Sequence, residues 1–381
     1  MRSLDLRMVR RALELGVRGL GATAPNPPVG AVVARGEQVL GEGFTQPPGG
    51  AHAEVMALAD CRARGHDPRG ATMYVTLEPC CHHGRTPPCT DALVAAGVRR
   101  VVIGVLDPFP AMRGRSVAVL RDAGVEVELG VEEEACARRI LGFARALGYG
   151  LPEVTLKAGV SADGASATIT GESKWITSAE ARAAGHQLRA HHDAVLVGLG
   201  TVLADDPLLT TRLPDVARDA VPVVLDTALR IPATARLFGS SRRPLIVCAE
   251  DAPPRDLPAD LIHVPRDAHG RVDLEAALRA LVGRGLHRVL VEGGATVHRS
   301  VLDRGLADTL ELFVAPVLLP GGRGFVGGPP VASLAAAYPM SLHQVGIVGR
   351  DVRMTFDLVH AIAPDPLRPL RAEKADTGRA G

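Results

Sequence analysis

Metal-binding side chains crowd one stretch of this chain more than any other. His52-Ala53-Glu54 comes first, then a strand-like run at residues 72–77, then Glu78-Pro79-Cys80-Cys81-His82-His83-Gly84-Arg85-Thr86-Pro87-Pro88-Cys89. An imidazole and two thiolates occupy three corners of zinc's tetrahedron and leave the fourth for water, the arrangement of a catalytic rather than a closed structural site. The reading takes His52, Cys80 and Cys89 as ligands. Cys81, His82 and His83 compete with Cys80, which is favoured by its position directly after Pro79. Glu54 is too close to His52 to be a second ligand from the same turn. It is read as the general acid/base that faces the activated water. Cys89 follows Thr86-Pro87-Pro88, an N-cap and first-turn pattern, and opens a helical run over 90–96. A thiolate there is favoured by the helix dipole. Read as ordinary loop and core residues, these side chains would put three of the chain's six cysteines beside His-x-Glu by coincidence.

Length and composition limit the alternatives. A chain of 381 residues suggests about two domains. With 46% apolar and 22% charged residues the composition is globular. Forty-three basic against 42 acidic residues give no general attraction to nucleic acid or to a membrane surface. The chain shows no apolar run long enough to span a bilayer and no signal-peptide pattern at its start. Cysteines clustered in one motif suit a metal site in a reducing compartment better than a disulfide framework, so a cytoplasmic location is expected.

Periodicity then orders the elements. A helical pattern over 4–15 precedes the turn Pro25-Asn26-Pro27-Pro28-Val29-Gly30, a strand over 31–34 and a hairpin partner over 39–44. His52 leads a helix to about residue 63. Strands over 100–105 and 125–129 flank a helix near 116–123, and a single helix is expected over 132–146. Strands alternating with helices argue an α/β sandwich with helices on both faces of a mixed sheet. A second α/β unit starts at Pro152, with strands over 154–160, 193–198, 222–226, 244–248, 287–292, 309–315 and 351–358. Helices are expected from Ser178 to 189 and over 273–284. From residue 361 the composition predicts a disordered tail to 381.

Two glycine turns in this second unit, Gly198-Leu199-Gly200-Thr201 and Glu292-Gly293-Gly294-Ala295-Thr296, follow strands and open helices, the setting in which phosphate groups bind. Neither is a dinucleotide fingerprint, and a plain structural turn explains each as well. Lys157, Asp205 and Glu292, read at strand ends, tilt the balance toward a nucleotide-dependent site without identifying its reaction.

With these pieces in hand, a resemblance is specific. His-x-Glu followed by Pro-Cys is similar to the signature of zinc deaminases. The chain as a whole resembles the bifunctional riboflavin-biosynthesis deaminase-reductases from about residue 6 to 358. The matching stretches are Pro25-Asn26-Pro27, Val29-Gly30, His52-Ala53-Glu54, residues 76–80 and 82–89, Gly171-Glu172-Ser173-Lys174-Trp175-Ile176-Thr177-Ser178, residues 201–207 and Val291-Glu292-Gly293-Gly294. The long Cys80–Cys89 spacing separates it from cytidine deaminases, whose cysteines lie closer. The resemblance implies a cytidine-deaminase-like α/β/α sandwich over 1–147, a zinc-dependent pyrimidine deaminase. It implies a dihydrofolate-reductase-like α/β domain over 148–360, an NADPH-dependent reductase. The first would deaminate 2,5-diamino-6-ribosylamino-4(3H)-pyrimidinone 5′-phosphate, and the second would reduce the ribosyl chain to ribityl.

By the same matching, Zn2+ would sit on His52, Cys80 and Cys89, and Asn26 would contact the deaminase substrate. Gly159, Trp175, Thr201, Asp205, Thr227, Gly294, Ala295 and Thr296 would line the NADPH site. Lys157, Ser173, Arg189, Leu209, Arg212 and Glu292 would hold the reductase substrate, the two arginines being suited to its phosphate. A homo-oligomer, dimer or tetramer, is expected. The sequence departs from the family pattern at Thr45 (usually His), Phe109 (usually Asn), Ser116 (usually Gly), Cys81 (usually Ser) and Ala162 (usually Leu). Two other readings compete. In one, only one half is catalytic and the other is a scaffold or binding domain. In the other, the chain is a nucleic-acid deaminase, which the near-neutral charge and 3% aromatic content disfavour.

Overall fold

The computed structural model describes residues 2–83, 87–213 and 218–358. They form two compact units that divide between Gly150 and Leu151. The tail expected over 361–381 lies outside the described residues.

The first unit carries α1 (Arg2–Val17), β1 (Gly30–Arg35), β2 (Gln38–Phe44), α2 (Ala53–Ala63), β3 (Thr72–Leu77), α3 (Cys89–Ala95), β4 (Arg100–Val105), α4 (Arg115–Asp122), β5 (Glu126–Leu129), α5 (Glu133–Arg139) and α6 (Leu141–Tyr149). Its five strands run in the order β2-β1-β3-β4-β5. β1 is antiparallel to both β2 and β3, whereas β3, β4 and β5 are parallel. α1 packs on β1, β2 and β3 and against α5, while α2 covers β2 and β1 and meets α3, which meets α4. β3 and β4 are almost wholly buried, which is why they read as continuous apolar runs rather than alternating ones. Glycine sets how closely α2 approaches: a Cβ at Gly43 would fall 2.4 Å from the Ala53 carbonyl oxygen. That contact lies at the first turn of α2, where His52 and Glu54 sit, so any larger residue would push both away from the sheet. A buried pair, Arg100 Nη1 to Asp5 Oδ1 at 2.8 Å and Nη2 to Oδ2 at 3.1 Å, ties α1 to β4.

The single helix expected over 132–146 is two, interrupted at Ile140, whose φ/ψ of −101° and 10° leave the helical region. Ile140 is fully buried, so packing overrides a sequence pattern that is continuous across the break. The N-cap of α3 is Pro88, without a side-chain cap, and Thr86 lies outside the described residues.

The second unit carries β6 (Glu153–Ser161), β7 (Ala165–Ala167), α7 (Ala179–Ala190), β8 (Ala194–Gly198), α8 (Leu199–Asp205), β9 (Val221–Leu225), β10 (Leu245–Ala249), β11 (Asp260–Val264), α9 (Leu274–Val282), β12 (Arg288–Gly293), α10 (Ala295–Asp303), β13 (Thr309–Ala315), β14 (Arg323–Gly324), β15 (Met340–Val348) and β16 (Asp351–Leu358). Nine strands form one sheet in the order β11-β10-β9-β8-β12-β6-β13-β16-β15. Neighbours from β11 through β13 are parallel, and β16 and β15 close the far edge antiparallel. The periodicity did not reveal β11, β15 or the small β7–β14 pair. β15 is exposed along nearly its whole length, and its alternation, Met340 and Leu342 then Val345 and Ile347, slips by one position at the bulge between Leu342 and Gln344, which breaks the period of two. The chain leaves β8 toward β9 on one side and leaves β12 toward β13 on the other. In open α/β sheets the crevice at the carboxyl ends of strands that diverge in this way is where ligands bind.

Candidate active sites

In the first unit, the Nδ1 or Nε2 of His52 and the Sγ atoms of Cys80 and Cys89 all lie within 4.8 Å of one another. His52 is the N-cap of α2, with extended backbone and no side-chain cap bond, so its ring is free to turn toward the sulfurs. Its Nδ1 is 3.5 Å from Cys80 Sγ and 3.4 Å from Cys89 Sγ. Cys80 lies in the turn after β3, and Cys89 opens α3 and donates its backbone N–H to Cys80 Sγ at 3.3 Å. The Cys89 contact, helped by His52, holds the Cys80 thiol down to about 4, and the same contact pushes the Cys89 thiol up. Two sulfurs and an imidazole that converge within 4.8 Å form a donor set that fits zinc. Glu54, in the first turn of α2 and 4% exposed, has its carboxyl raised to about 7 by burial.

His52, Cys80 and Glu54 line a cavity of about 470 Å³ whose walls also include Asn26, Thr45, Glu78, His82, Asp107, Phe109, Met112 and Phe143. Thr45 and Phe109, two of the departures noted above, therefore face the same space as the metal donors. Ser116 does not line it: its hydroxyl donates to Glu78 Oε1 at 2.7 Å. Glu78 and Asp107 were not singled out from the sequence. Glu78 directly precedes the Pro79-Cys80 pair, which was the available signal.

In the second unit a cavity of about 560 Å³ opens beside β8, β12 and β6. Among the residues expected at this site, Lys157, Trp175, Arg189, Thr201, Asp205, Leu209, Arg212 and Glu292 line it, while Gly159, Ser173, Thr227, Gly294, Ala295 and Thr296 do not. Two placements differ from the sequence reading. Lys157 lies in the middle of β6 and Asp205 at the end of α8, not at strand ends. The strand expected over 154–160 agrees with β6 to one residue at each end, so the strand was located and only the position of Lys157 along it was misjudged. The short helix α8 begins at Leu199, directly after β8, where a turn was expected.

Arg189 grips Glu292 with two parallel bonds, Nε to Oε1 at 2.7 Å and Nη2 to Oε2 at 2.6 Å. Its Nη1 donates to the Thr210 carbonyl at 2.8 Å. Burial alone would raise the Glu292 carboxyl, but the Arg189 guanidinium brings it down to about 2. Lys174 Nζ pairs with Asp205 Oδ1 at 3.0 Å. Trp175, 67% exposed, is no core residue. The Arg182 guanidinium lies over its ring at 4.4 Å from the centroid. Arg182 and His186 line the cavity beside Arg189 and were missed. Their spacing of four and three along a capped helix puts all three on one face, which the sequence could have disclosed. Gly294 precedes α10 with a φ of +52°, and a Cβ there would lie 3.5 Å from Thr201 Oγ1. The Glu292-Gly293-Gly294 turn therefore lies within ordinary contact distance of α8. The cavity's rim of cations together with this turn suits a phosphate-bearing dinucleotide. Gly159 lies beside Thr177, and Thr227 Oγ1 accepts the Val272 N–H at 3.2 Å. Ser173, in the segment before α7, accepts the Ile176 N–H on its carbonyl at 3.3 Å.

Comparison with known proteins places both units. Residues 2–105 match the cytidine and deoxycytidylate deaminase zinc-binding region, and residues 152–355 match the RibD C-terminal domain. The riboflavin biosynthesis protein RibD of Bacillus amyloliquefaciens is 40% identical over 350 residues, covering 90% of this chain and 94% of that one. The Escherichia coli K12 protein of the same name is 38% identical over 362 residues, 91% of this chain and 98% of that one. A crystal structure of a diaminohydroxyphosphoribosylaminopyrimidine deaminase/5-amino-6-(5-phosphoribosylamino)uracil reductase from Thermotoga maritima superposes with a TM-score of 0.84 at 36% identity, covering 94% of this chain and 99% of that one. Acinetobacter baumannii RibD, in one of its crystal forms, gives a TM-score of 0.83 at 35% identity over 94% and 100% of the two chains. Among the described residues no helix is long and apolar enough to cross a membrane. A converging His-Cys-Cys donor set in one unit, a cation-rimmed crevice in the other and relatives that match along nearly their whole length have one reading: the chain belongs to the RibD family of riboflavin-biosynthesis enzymes, joining a zinc-dependent deaminase to an NADPH-dependent reductase.

Proposed function

We propose that this chain acts twice on one phosphorylated pyrimidine. It first deaminates the diaminopyrimidinone ribosyl phosphate and then reduces the ribosyl group of the product to ribityl. The observation that carries the reading is the convergence of His52, Cys80 and Cys89, with His52, Cys80 and Glu54 lining one cavity. His52, Cys80 and Cys89 hold the zinc. Zinc, when bound, supplies the Lewis acidity that makes water a nucleophile near neutral pH. Glu54, whose carboxyl is raised to about 7, accepts a proton from the attacking water and returns it to the departing ammonia. Asn26, on the wall of the same cavity, orients the pyrimidine.

In the reductase half, NADPH supplies the hydride. Thr201, Asp205 and Trp175, on the cavity wall, hold the dinucleotide, and Gly159, Thr227, Gly294, Ala295 and Thr296, which do not line the cavity, are assigned to it from the family resemblance. Ser173, Leu209, Arg212 and Glu292 hold the substrate, and Lys157 stands by the reacting sugar. Arg189, whose fork is spent on Glu292, keeps that carboxylate ionised and oriented. The deaminase domain, expected over 1–147, and the reductase, expected over 148–360, divide between Gly150 and Leu151 because α6 runs to Tyr149, and the chain is assigned to the cytoplasm. A homo-oligomer, dimer or tetramer, is supported by the apolar outer edge of the sheet, where Leu342, Val345 and Ile347 of β15 are 58%, 57% and 82% exposed. Sedimentation of wild type against Ile347→Lys tests that assignment.

The experiment for the two-step reading is Glu54→Gln. Ammonia release falls by about a hundredfold or more, while reduction of the separately supplied deaminated intermediate holds. Equal loss of both activities would defeat the assignment of two independent sites.

A further inference from the structure

Glu78 is the end of β3 extended by one residue, two positions before Cys80, and it is 5% exposed. Its carboxylate gathers four donors from one distant segment. Oε2 accepts the backbone N–H groups of Asp107 at 3.0 Å and Gly114 at 2.9 Å. Oε1 accepts the Ser116 N–H at 3.1 Å and the Ser116 hydroxyl at 2.7 Å. Among the described residues none of its hydrogen-bond partners is a cation, so this is not an ion pair that merely neutralises itself. Gly114 is the N-cap of α4, with φ +76° and no side-chain cap of its own. Glu78 therefore supplies, from another element, the acceptor that this helix start lacks.

The segment between those anchors, residues 107–114, contributes Asp107, Phe109 and Met112 to the wall of the deaminase cavity. Its other hydrogen bonds are local. The Phe109 N–H donates to Asp107 Oδ1 at 2.8 Å, the Met112 N–H to the Phe109 carbonyl at 2.9 Å, and Arg113 to the carbonyls of Asp107 and Pro108 at 3.4 Å. The strap thus holds its own shape, and Glu78 ties both of its ends to the turn that carries Cys80.

We propose that Glu78 is a positioning residue for the deamination. It locks the substrate-facing strap 107–116 onto the zinc-ligand turn, so that the far wall of the pocket is set in register with the metal. Gln is isosteric but offers one acceptor oxygen. One of the two donor pairs then faces an amide NH₂ and is lost. The strap loosens while His52, Cys80, Cys89 and Glu54 stay in place. This rests on the deaminase reading above, and the two can fail separately.

The test uses the full-length zinc-loaded protein and the diaminopyrimidinone ribosyl phosphate. Wild-type protein that releases no ammonia from this compound removes the substrate reading, whatever Glu78 does. Given wild-type turnover, Glu78→Gln is expected to raise KM about tenfold, the size of effect that follows from losing hydrogen bonds to a buried charged group. Its kcat, zinc content and reduction of the deaminated product hold at wild-type levels. Ser116→Ala removes only the hydroxyl donor and raises KM less, in the same direction. An unchanged KM in both variants overturns the proposal. So does a loss of zinc and kcat with KM unchanged, because Glu78 would then support the metal turn rather than the strap. If Glu78→Gln does not fold, the Ser116→Ala value of KM decides alone.

Discussion

The two cavities reach reactivity by opposite electrostatic routes. In the deaminase pocket the carboxyl of Glu54, beside the metal donors, is pushed up to about 7 by burial, which outweighs the opposing charge of His52. In the reductase crevice two carboxylates are already paired with cations. Arg189 grips Glu292, Lys174 holds Asp205, and Glu292 is brought down to about 2. Both carboxyl groups are buried, so burial alone does not explain the difference. The Arg189 guanidinium bonded to Glu292 decides the sign. The first site is built to take a cation that the chain does not supply, and the second carries its own.

Removing a metal ligand tests that contrast most severely. Cys89→Ser is expected to abolish zinc binding and ammonia release, because the set of three donors drops to a mixed site with a weaker hydroxyl ligand. NADPH-dependent reduction of the intermediate stays intact. Metal analysis alongside the two separate assays checks this, and loss of reduction as well would mean that the sites are not electrostatically independent. On the other side, Arg189→Met leaves Glu292 buried without its partner. The cost to the reductase unit is about 3–5 kcal/mol, with reduction lost and deamination kept, as two-wavelength unfolding and the paired assays would show.

The pH response comes next in size. Glu292 titrates from an ordinary value of 4.5 down to about 2 in the folded chain. A depressed carboxyl contributes stability that is complete above 4.5 and is lost as pH falls through 2. The midpoint of reductase unfolding is therefore expected to drop between pH 4.5 and 2, and Glu292→Gln should flatten that drop. An acid limb of the same steepness in the variant would move the effect to other carboxylates. The smallest expected effect is at α7, where Ser178 Oγ accepts the Ala181 N–H at 3.2 Å. Ser178→Ala should cost about 1 kcal/mol in thermal unfolding. It should leave Arg189 seated and the reduction rate little changed, which separates support of the helix from support of the ion pair.

Much of the deaminase pocket was legible in the sequence because its parts lie close along the chain. His52 starts a helix, and Cys80 and Cys89 bracket one turn. Each choice is made by a local cap or strand end that periodicity and proline punctuation reveal. The reductase crevice was less legible. Arg189 and Glu292 are 103 positions apart, and nothing local tells an arginine on a helix face that its fork will close on a glycine-turn glutamate. Arg182 and His186 were missed for the same reason, although their spacing with Arg189 follows one helical face. Lys157 was read at a strand end although the strand expected over 154–160 already had it in the middle, as β6 does.

The residues alone determined the metal chemistry, the α/β alternation and most element positions, since ligand type, hydrophobic period and caps act over a few residues. Tertiary structure decided the rest. It broke the helix at Ile140, left β15 as an exposed edge, put the crevice where β8 and β12 diverge, and tied residues 107–116 to Glu78. Each of these depends on which distant groups meet after the sheets assemble. A buried carboxylate takes whichever donors the packed chain brings within about 3 Å, and no local rule names them in advance.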